Sequence, residues 1–142
     1  MSQRFDLTGR VALIAGASRG IGEAIAHGFA EHGATVICSS RKQPDCEKVA
    51  EAIRKKGGKA ISAKLHLGEL PDHGKVIDMI ADKYGRLDIL VNNGATNPYM
   101  GAAHKAPETA YDKTFDVNVK GPYFLSATAI PLMLKNGKGS IV

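Results

Sequence analysis

Three glycines, Gly16, Gly20 and Gly22, have the spacing G-x-x-x-G-x-G and could bind an anion. A short apolar run at 11–15 precedes them, and apolar residues at helical spacing follow directly. A strand that turns into a helix in this way brings together the free N–H groups of the first helical turn, where the helix dipole adds partial positive charge. Glycine permits the tight turn and the close approach of a phosphate. The stretch predicts a nucleotide-phosphate site, and the alternative is a glycine-rich turn that binds nothing.

A group of hydroxyl and cationic side chains follows the next predicted strand. A site for NAD carries an acidic residue about 20 positions after the glycines, where it binds the ribose 2′-hydroxyl. This chain instead reads Ser39-Ser40-Arg41-Lys42 there, with no carboxylate. A hydroxyl and a guanidinium hold a 2′-phosphate through charge-assisted hydrogen bonds, and Arg19 could reach the same phosphate from the glycine turn. The residues therefore favour NADP(H) over NAD(H), the alternative being that they are solvated surface cations.

The elements that must position these residues alternate between strand and helix. Helical patterns begin after the glycine turn and near residues 44, 71 and 107. Strand patterns cover 11–15, 35–38, 60–65, 88–91 and, as the opening of a fifth strand, 139–142. Such alternation implies right-handed crossovers and an α/β fold with a Rossmann-type doubly wound parallel sheet. We expect the strand order 3-2-1-4-5, truncated in strand 5, with ligands at the carboxyl ends of strands 1 and 4.

Length and composition predict a single domain over residues 1–142, because 44% hydrophobic and 23% charged side chains are ordinary for a globular domain of this size. The net charge of +5 comes from scattered cations without a basic run, which argues against nucleic acid as a partner. Residues 1–10 lack the apolar core of a signal peptide, and no apolar run approaches the roughly 18 residues of a membrane span. We therefore expect a soluble, cytoplasmic protein that binds no membrane.

The two cysteines, Cys38 and Cys46, fall on a predicted strand and a predicted helix. Their spacing matches no set of metal ligands, and two thiols are too few for a disulfide framework. We expect both to be inert packing residues, and we expect no metal site in this chain.

The motifs together resemble those of the short-chain dehydrogenase/reductase family over about 5–142. The glycine turn is similar to the family's T-G-x-x-x-G-x-G, with Ala15 in place of the threonine. The stretch 92–95 reads Asn-Asn-Gly-Ala and resembles the family's N-N-A-G with its last two residues exchanged. The stretch 115–121 resembles the helix that carries the family's catalytic asparagine, here Asn118. The resemblance implies hydride transfer between a nicotinamide and a small-molecule carbonyl or secondary alcohol.

The resemblance also implies which residues would hold the cofactor. His66 and Leu67 end predicted strand 3, where the family usually has an aspartate and an aliphatic residue beside the adenine. A histidine can donate to, accept from or stack against an adenine edge, although a lone histidine is also a common structural residue. The expected cofactor-binding residues are Gly16, Ser18, Arg19, Gly20, Ile21, Gly22, Ser40, Arg41, Lys42, His66, Leu67, Asn93, Gly94 and Ala95.

Asn118 is the expected catalytic residue. Asparagine is a poor helix former, and here it lies just upstream of Gly121 and Pro122, another pair that helices disfavour. The combination predicts a kink that frees a backbone carbonyl to hold a water. In the family this water belongs to a proton relay.

Short stretches resemble one branch of the family more closely. Those similar to NADP(H)-dependent carbonyl reductases are 39–43, 66–68 and 97–101. The loop 96–106 is expected to form one wall of the substrate pocket, with Tyr99 and Met100 as apolar candidates. The resemblance further implies a homo-oligomer, a homotetramer in which the long helix pairs with its twin.

The family's Y-x-x-x-K motif and the serine after strand 5 are absent from these 142 residues. The chemistry needs the tyrosine and lysine together, because a nearby ammonium lowers the pKa of the phenol that protonates the carbonyl. None of the four tyrosines has a lysine four positions later. We expect the amino-terminal part of an oxidoreductase, inactive alone, and the alternative is a catalytically incompetent nucleotide-binding remnant. We also expect an exposed strand-4 edge and a poorly covered apolar helix face made of Phe124, Leu125, Leu132 and Met133.

Overall fold

The computed structural model describes residues 3–142, so Met1 and Ser2, part of the segment predicted to lack a signal peptide, lie outside the described residues. Five strands form one sheet in which every neighbouring pair is parallel. The strands are β1 (Val11–Ala15), β2 (Thr35–Ser40), β3 (Lys59–Lys64), β4 (Ile89–Asn92) and β5 (Ser140–Ile141). Their order across the sheet is β3-β2-β1-β4-β5, which confirms the predicted doubly wound fold.

Helices cover both faces of this sheet. They are α1 (Gly20–Glu31), α2 (Gln43–Lys55), α3 (Leu70–Tyr84), α4 (Glu108–Phe115) and α5 (Gly121–Leu134). The helical region predicted from about 107 to 135 is divided, because a π turn at Asp116–Lys120 separates α4 from α5. Among residues 3–142, no helix has both the length and the apolar character that a membrane crossing requires.

The hydrophobic core forms two layers, one on each face of the sheet. Leu13 packs in the layer that α3 and α5 cover, and the next residue, Ile14, packs in the layer that α1 and α2 cover. All five residues of β1 are buried. A strand covered on both faces needs apolar side chains at every position, which is why β1 shows no polar alternation. Burying a side chain of this size contributes about 1.5–3 kcal/mol.

Strand β2 continues two residues beyond its predicted end, to Ser40. Two polar residues can lie in this strand because neighbouring backbone satisfies them. The Ser39 hydroxyl donates to the carbonyl of Ile14 at 2.8 Å, and Ser40 pairs with Lys64 of β3. The longer strand places Arg41 directly at the carboxyl edge of the sheet.

Helix α5 is better covered than its sequence suggests. Leu125, Leu132 and Met133 are buried in the core layer shared with α3, so the expectation of poor coverage is wrong for these three residues. Phe124 alone of that set stays exposed, at 41%. The expectation of an open strand-4 edge is also wrong, because Ile89 and Leu90 pair with β5.

The amino edge of the sheet is held together by Asp88, a buried residue directly before β4. Its carboxylate accepts hydrogen bonds from the Val11 N–H at 2.8 Å, from Arg10 at 3.2 Å and from Arg86 at 2.6 and 2.9 Å. Burial acts to raise the pKa of Asp88, but these hydrogen bonds outweigh burial and hold the pKa below its ordinary value. The carboxylate therefore ties the start of β1 to the start of β4.

Candidate functional site

The glycine turn lies between β1 and α1, at the carboxyl edge of the sheet. Gly16 and Gly20 have φ angles of 85° and 60°, in the left-handed region that favours glycine. A Cβ on Gly22 would overlap the carbonyl oxygen of Gly16, and a Cβ on Gly16 would lie 2.6 Å from the Cα of Gly94. The cap residue of α1, Arg19, makes no capping hydrogen bond with its side chain. The N–H groups of the first turn of α1 are therefore available to an anion.

The loop after β4 packs directly on the glycine turn. The Asn93 side-chain amide donates to the carbonyl of Gly16 at 3.0 Å, and the Asn93 N–H donates to the carbonyl of Ala15 at 3.1 Å. A Cβ on Gly94 would lie 2.8 Å from a methyl carbon of Leu67, which lies with His66 in the loop after β3 rather than at the strand's end as predicted. Small residues here let the loops after β1, β3 and β4 meet.

These loops enclose a cleft of about 470 Å³, which we call the carboxyl-end cleft. It contains most of the residues predicted to bind a cofactor and four residues that were not predicted to bind it. Its lining is Gly16, Ser18, Arg19, Gly20, Ile21, Ser40, Arg41, Leu65, His66, Leu67, Asn93, Gly94, Ala95, Thr96, Lys113 and Val117. Of the predicted cofactor residues, Gly22 is buried beneath the turn and Lys42 lies in the neighbouring pocket.

The four additional residues in the cleft are Leu65, Thr96, Lys113 and Val117. Leu65 directly precedes His66 and belongs to the predicted strand 60–65, so that apolar pattern was a usable signal for it. Thr96 begins the loop 96–106 that was expected to form a wall of the substrate pocket, whereas no local motif marks Lys113 of α4 or Val117 of the π turn. They reach the cleft because of the way the helical segment packs across the sheet.

A second cavity of about 460 Å³ adjoins the cleft, and we call it the basic pocket. Its lining residues are Ser18, Arg19, Glu23, Ser40, Arg41, Lys42, Asp45, Lys48 and Val49. Cations outnumber carboxylates in this lining, and the Asp45 carboxylate is engaged by Lys48 at 3.4 Å. Within residues 3–142, no ion pair joins Arg19, Arg41 or Lys42 to a carboxylate, so their charge is available to an anionic ligand.

His66 is held by its own loop. The Gly68 N–H donates to Nδ1 of His66 at 3.0 Å, and the His66 N–H donates to the Asp72 carboxylate at 3.1 Å. Nδ1 is therefore an acceptor, and the neutral ring carries its proton on Nε2. The ring can offer the cleft this one N–H donor.

A second histidine, His73, lies beneath the same loop and is almost fully buried. Its Nε2 lies 2.9 Å from the carbonyl oxygen of Leu67, while its Nδ1 is buried without a hydrogen-bond partner. Burial lowers the pKa of His73, although the Leu67 carbonyl and Asp72 act in the opposite direction. The neutral ring therefore donates from Nε2 and fixes Leu67 at the floor of the cleft.

Asn118 lies in the π turn, where a kink was predicted, and clamps the cleft wall. Its amide oxygen accepts from the Thr96 N–H at 2.8 Å and its amide nitrogen donates to the Thr96 carbonyl at 2.8 Å. A Cβ on Gly121 would lie 2.5 Å from the Leu67 carbonyl oxygen, so the start of α5, directly after the π turn, packs closely on the loop after β3. The water expected on a backbone carbonyl freed by the kink, and the catalytic role of Asn118, stay predictions.

Tyr99 and Met100, expected to face a substrate, are not among the residues that line the cleft. The Tyr99 hydroxyl donates to the carbonyl of Ala102 at 3.1 Å, within its own loop, and Met100 is 86% exposed.

Both cysteines are buried, as expected of packing residues, but the Cys46 thiol lies 3.2 Å from the Ser40 hydroxyl.

Comparison with known proteins agrees with this geometry. The family model described as short chain dehydrogenase matches residues 10–142. Dehydrogenase/reductase SDR family member 4 of Homo sapiens is 36% identical over 142 residues, which are all of this chain and 51% of that protein. The protein of the same name from Caenorhabditis elegans is 34% identical over 141 residues, covering 99% of this chain and 54% of that protein. The chain thus spans about half the length of the curated relatives it matches.

A solved structure has the same architecture. It is described as the crystal structure of a metagenomic short-chain oxidoreductase (SDR) in complex with NADP, and it superposes with a TM-score of 0.90 at 33% sequence identity. The match covers 95% of this chain and 61% of that chain.

Proposed function

The chain belongs to the short-chain dehydrogenase family, and from this premise we propose that the protein containing it is an NADP(H)-dependent oxidoreductase. The proposed reaction moves a hydride between the cofactor and a small-molecule carbonyl or secondary alcohol. The observation that carries the NADP(H) preference is the basic pocket, where Arg19, Arg41 and Lys42 have no carboxylate partner within residues 3–142. A cation that has no internal partner can bind a 2′-phosphate without first breaking an ion pair.

The residues present fit a dinucleotide. The glycine turn is a cradle that a Cβ at Gly16 or Gly22 would fill, and it ends at the N–H groups of α1. These groups would bind the pyrophosphate, because a helix N-terminus favours an anion. When bound, the nicotinamide would supply or accept the hydride. In this proposal 1–142 act as one NAD(P)-binding domain.

The remaining cleft residues position the cofactor. The Nε2–H of His66 would donate to the adenine, and Leu67 would pack against it, with the Leu67 backbone fixed by His73. The loop 93–95 would pass beside the ribose, where its small residues leave room. Asn118 holds the Thr96 backbone in two hydrogen bonds and would thereby keep the cleft wall in place.

Binding of the two cofactors tests this proposal directly. Calorimetric titration of the purified chain with NADP⁺ and with NAD⁺ compares ligands that differ only in the 2′-phosphate. We expect tighter binding of NADP⁺, and the advantage should shrink as the salt concentration rises, because screening weakens exposed charge interactions. Equal affinities would refute the NADP(H) preference, and absence of binding by either ligand would refute the nucleotide site.

A second function, nucleotide binding without catalysis, has one specific observation in its favour. The 142 residues contain no tyrosine followed four positions later by lysine, so the chain alone lacks the family's proton donor. We propose negligible NADPH oxidation by a verified 142-residue chain, and appreciable turnover by it would contradict this. The intact mass of the native gene product separates the two functions: a mass well above 15.0 kDa favours the oxidoreductase, and a mass of 15.0 kDa favours the binding protein.

We further propose that the protein forms a homo-oligomer through the apolar surface of α4, the π turn and α5. Its exposed members are Tyr111, Phe115, Val119, Tyr123, Phe124, Ile130 and Leu134. A surface of this kind is typical of an interaction site. Light scattering coupled to gel filtration should give a multimer for the wild type and a smaller species for Tyr123→Glu. The control is Met100→Glu, which changes an even more exposed residue outside this surface, and an unchanged mass for both variants would refute the interface.

A further inference from the structure

The buried thiol of Cys46 contacts a hydroxyl, that of Ser40, which lines both the cleft and the basic pocket. Cys46 lies in the first turn of α2 and is fully buried. Its sulfur lies 3.2 Å from Oγ of Ser40, the last residue of β2. Ser40 lines both cavities, whereas Cys46 lines neither. The thiol therefore acts on a ligand only through Ser40.

The hydrogen bonds around Ser40 leave its hydroxyl able to donate a hydrogen bond but not to accept another. A serine hydroxyl has one donor and two acceptor lone pairs. The Lys42 N–H donates to Ser40 Oγ at 3.3 Å and the Cys46 S–H occupies the second acceptor position. The Ser40 hydroxyl itself donates to the Lys42 carbonyl at 3.1 Å. Toward a ligand, the Ser40 hydroxyl can therefore act only as a hydrogen-bond donor.

The direction of the contact follows from the state of the thiol. Burial raises the pKa of Cys46, and the neighbouring Asp45 carboxylate acts in the same direction, while the bond to Ser40 opposes them. The thiol is therefore protonated at neutral pH and has a proton to donate. Among the described contacts, Ser40 Oγ is the hydrogen-bond partner of this sulfur.

We propose that Cys46 is a positioning residue that makes Ser40 a donor and so favours a 2′-phosphate over a 2′-hydroxyl. The inference rests on the proposed NADP(H) function. Phosphate oxygens only accept hydrogen bonds, so a Ser40 that can only donate suits them. A ribose 2′-hydroxyl also has a proton to place, and Ser40 cannot accept it while Lys42 and Cys46 fill both lone pairs. Cys46 thereby contributes to cofactor choice without touching the cofactor.

Substitutions that remove the hydrogen-bond donor at position 46 test the proposal. Cys46→Ala and Cys46→Val cannot donate, whereas Cys46→Ser keeps a donor. Affinities for NADP⁺ and NAD⁺ are measured by calorimetry for each variant of the full gene product. We expect the NADP⁺/NAD⁺ affinity ratio to fall about two- to five-fold in the alanine and valine variants, because S–H is a weak donor, and to be retained in the serine variant.

The matched control is Cys38→Ala. Cys38 is also a fully buried thiol, on the same strand as Ser40, and burial raises its pKa to about 12. Among the described residues, Cys38 makes no hydrogen bond to Ser40. Loss of the Cys38 thiol therefore perturbs packing alone. This variant should keep the wild-type affinity ratio.

The outcomes separate the two proposals. If the wild type discriminates between the cofactors but Cys46→Ala or Cys46→Val keeps its ratio, the role of Cys46 is refuted while the NADP(H) proposal stands. The role is also refuted if Cys38→Ala or Cys46→Ser loses the ratio to the same extent. If the wild type does not discriminate, both proposals fall. Two non-donating variants are used so that a folding defect in one leaves the other to decide.

Discussion

The two ends of the same sheet use charge in opposite ways. At the amino edge, the buried carboxylate of Asp88 is enclosed by Arg10, Arg86 and the Val11 N–H. At the carboxyl edge, the side chains of Arg19, Arg41 and Lys42 line open cavities. Within residues 3–142, none of the three has a carboxylate partner. Both edges belong to the same five-stranded sheet, so fold alone does not account for the difference.

The contrast separates charge that stabilises from charge that binds. A carboxylate whose hydrogen bonds are satisfied internally contributes to folding and leaves nothing for a ligand. Cations held near each other without a carboxylate partner contribute little to folding, but they can form charge-assisted hydrogen bonds that strengthen the binding of an anionic ligand. The comparison predicts that substitutions at the amino edge should change stability alone. Substitutions of the cations at the carboxyl edge should change affinity alone.

At the glycine turn, a substitution should change both the stability of the fold and the affinity for the cofactor. We expect the largest effect there. In Gly22→Ala the new methyl group would overlap the carbonyl of Gly16, which is backbone and cannot rotate away. We expect a loss of about 3 kcal/mol in the free energy of unfolding and at least about tenfold weaker NADP⁺ binding. Urea unfolding and calorimetry measure the two. Gly28→Ala, in the same helix with open space around it, should instead gain about 0.5–1 kcal/mol.

Replacing the amino-edge carboxylate should destabilise the fold without affecting the ligand. Asp88→Asn keeps the shape but removes the charge that pairs with Arg10 and Arg86, and we expect a loss of about 1.5–3 kcal/mol in unfolding free energy. NADP⁺ affinity of the folded variant should match the wild type. The exposed Asp82→Asn is the control and should change stability by less than about 0.5 kcal/mol. A large loss of affinity in Asp88→Asn would contradict the separation of the two edges.

The converse substitution at the carboxyl edge is Arg41→Ala. Loss of a charge-assisted contact should weaken NADP⁺ binding about tenfold and leave NAD⁺ binding unchanged, because NAD⁺ has no 2′-phosphate. Unfolding free energy should stay within about 0.5 kcal/mol of the wild type. Lys135→Ala removes an equal charge from an exposed site far from the pocket and controls for net charge. Equal weakening for both cofactors would place Arg41 outside the phosphate site.

The smallest expected effect is a pH dependence that His73 confers on the cleft floor. Its folded-state pKa is below the ordinary 6.5, so the unfolded chain binds a proton first. The stability that the neutral ring contributes is present above pH 6.5 and is lost as the pH falls toward the lowered folded-state pKa. The slope in this window cannot exceed about 1.4 kcal/mol per pH unit for one group.

His73→Gln tests this pH dependence, because glutamine can still donate to the Leu67 carbonyl but does not titrate. The free energy of unfolding is measured between pH 7.5 and 5.5 for both proteins. The variant should have the shallower slope, since the two proteins differ only at this position. Identical slopes would mean that His73 does not contribute.

The sequence by itself determined the sheet and the position of the glycine turn. Apolar runs at the period of a strand, helical stripes between them and the glycine spacing at 16–22 are local features, because each depends on residues a few positions apart. The strand order followed from these elements through the handedness of βαβ crossovers. The absence of a carboxylate after β2 was equally visible, because it requires only the identities of residues 39–42.

Only the tertiary structure decided which distant residues meet. Thr96 is held by Asn118 across 22 positions, and Lys113 and Val117 reach the cleft from α4 and from the π turn. Burial of Leu125 and its neighbours likewise depends on how α5 lies against α3. No local pattern encodes such contacts, since they arise when whole elements pack to exclude water and leave few voids. The hydrogen bond from Cys46 to Ser40 belongs to the same class, because it requires the first turn of α2 to fold back onto the end of β2.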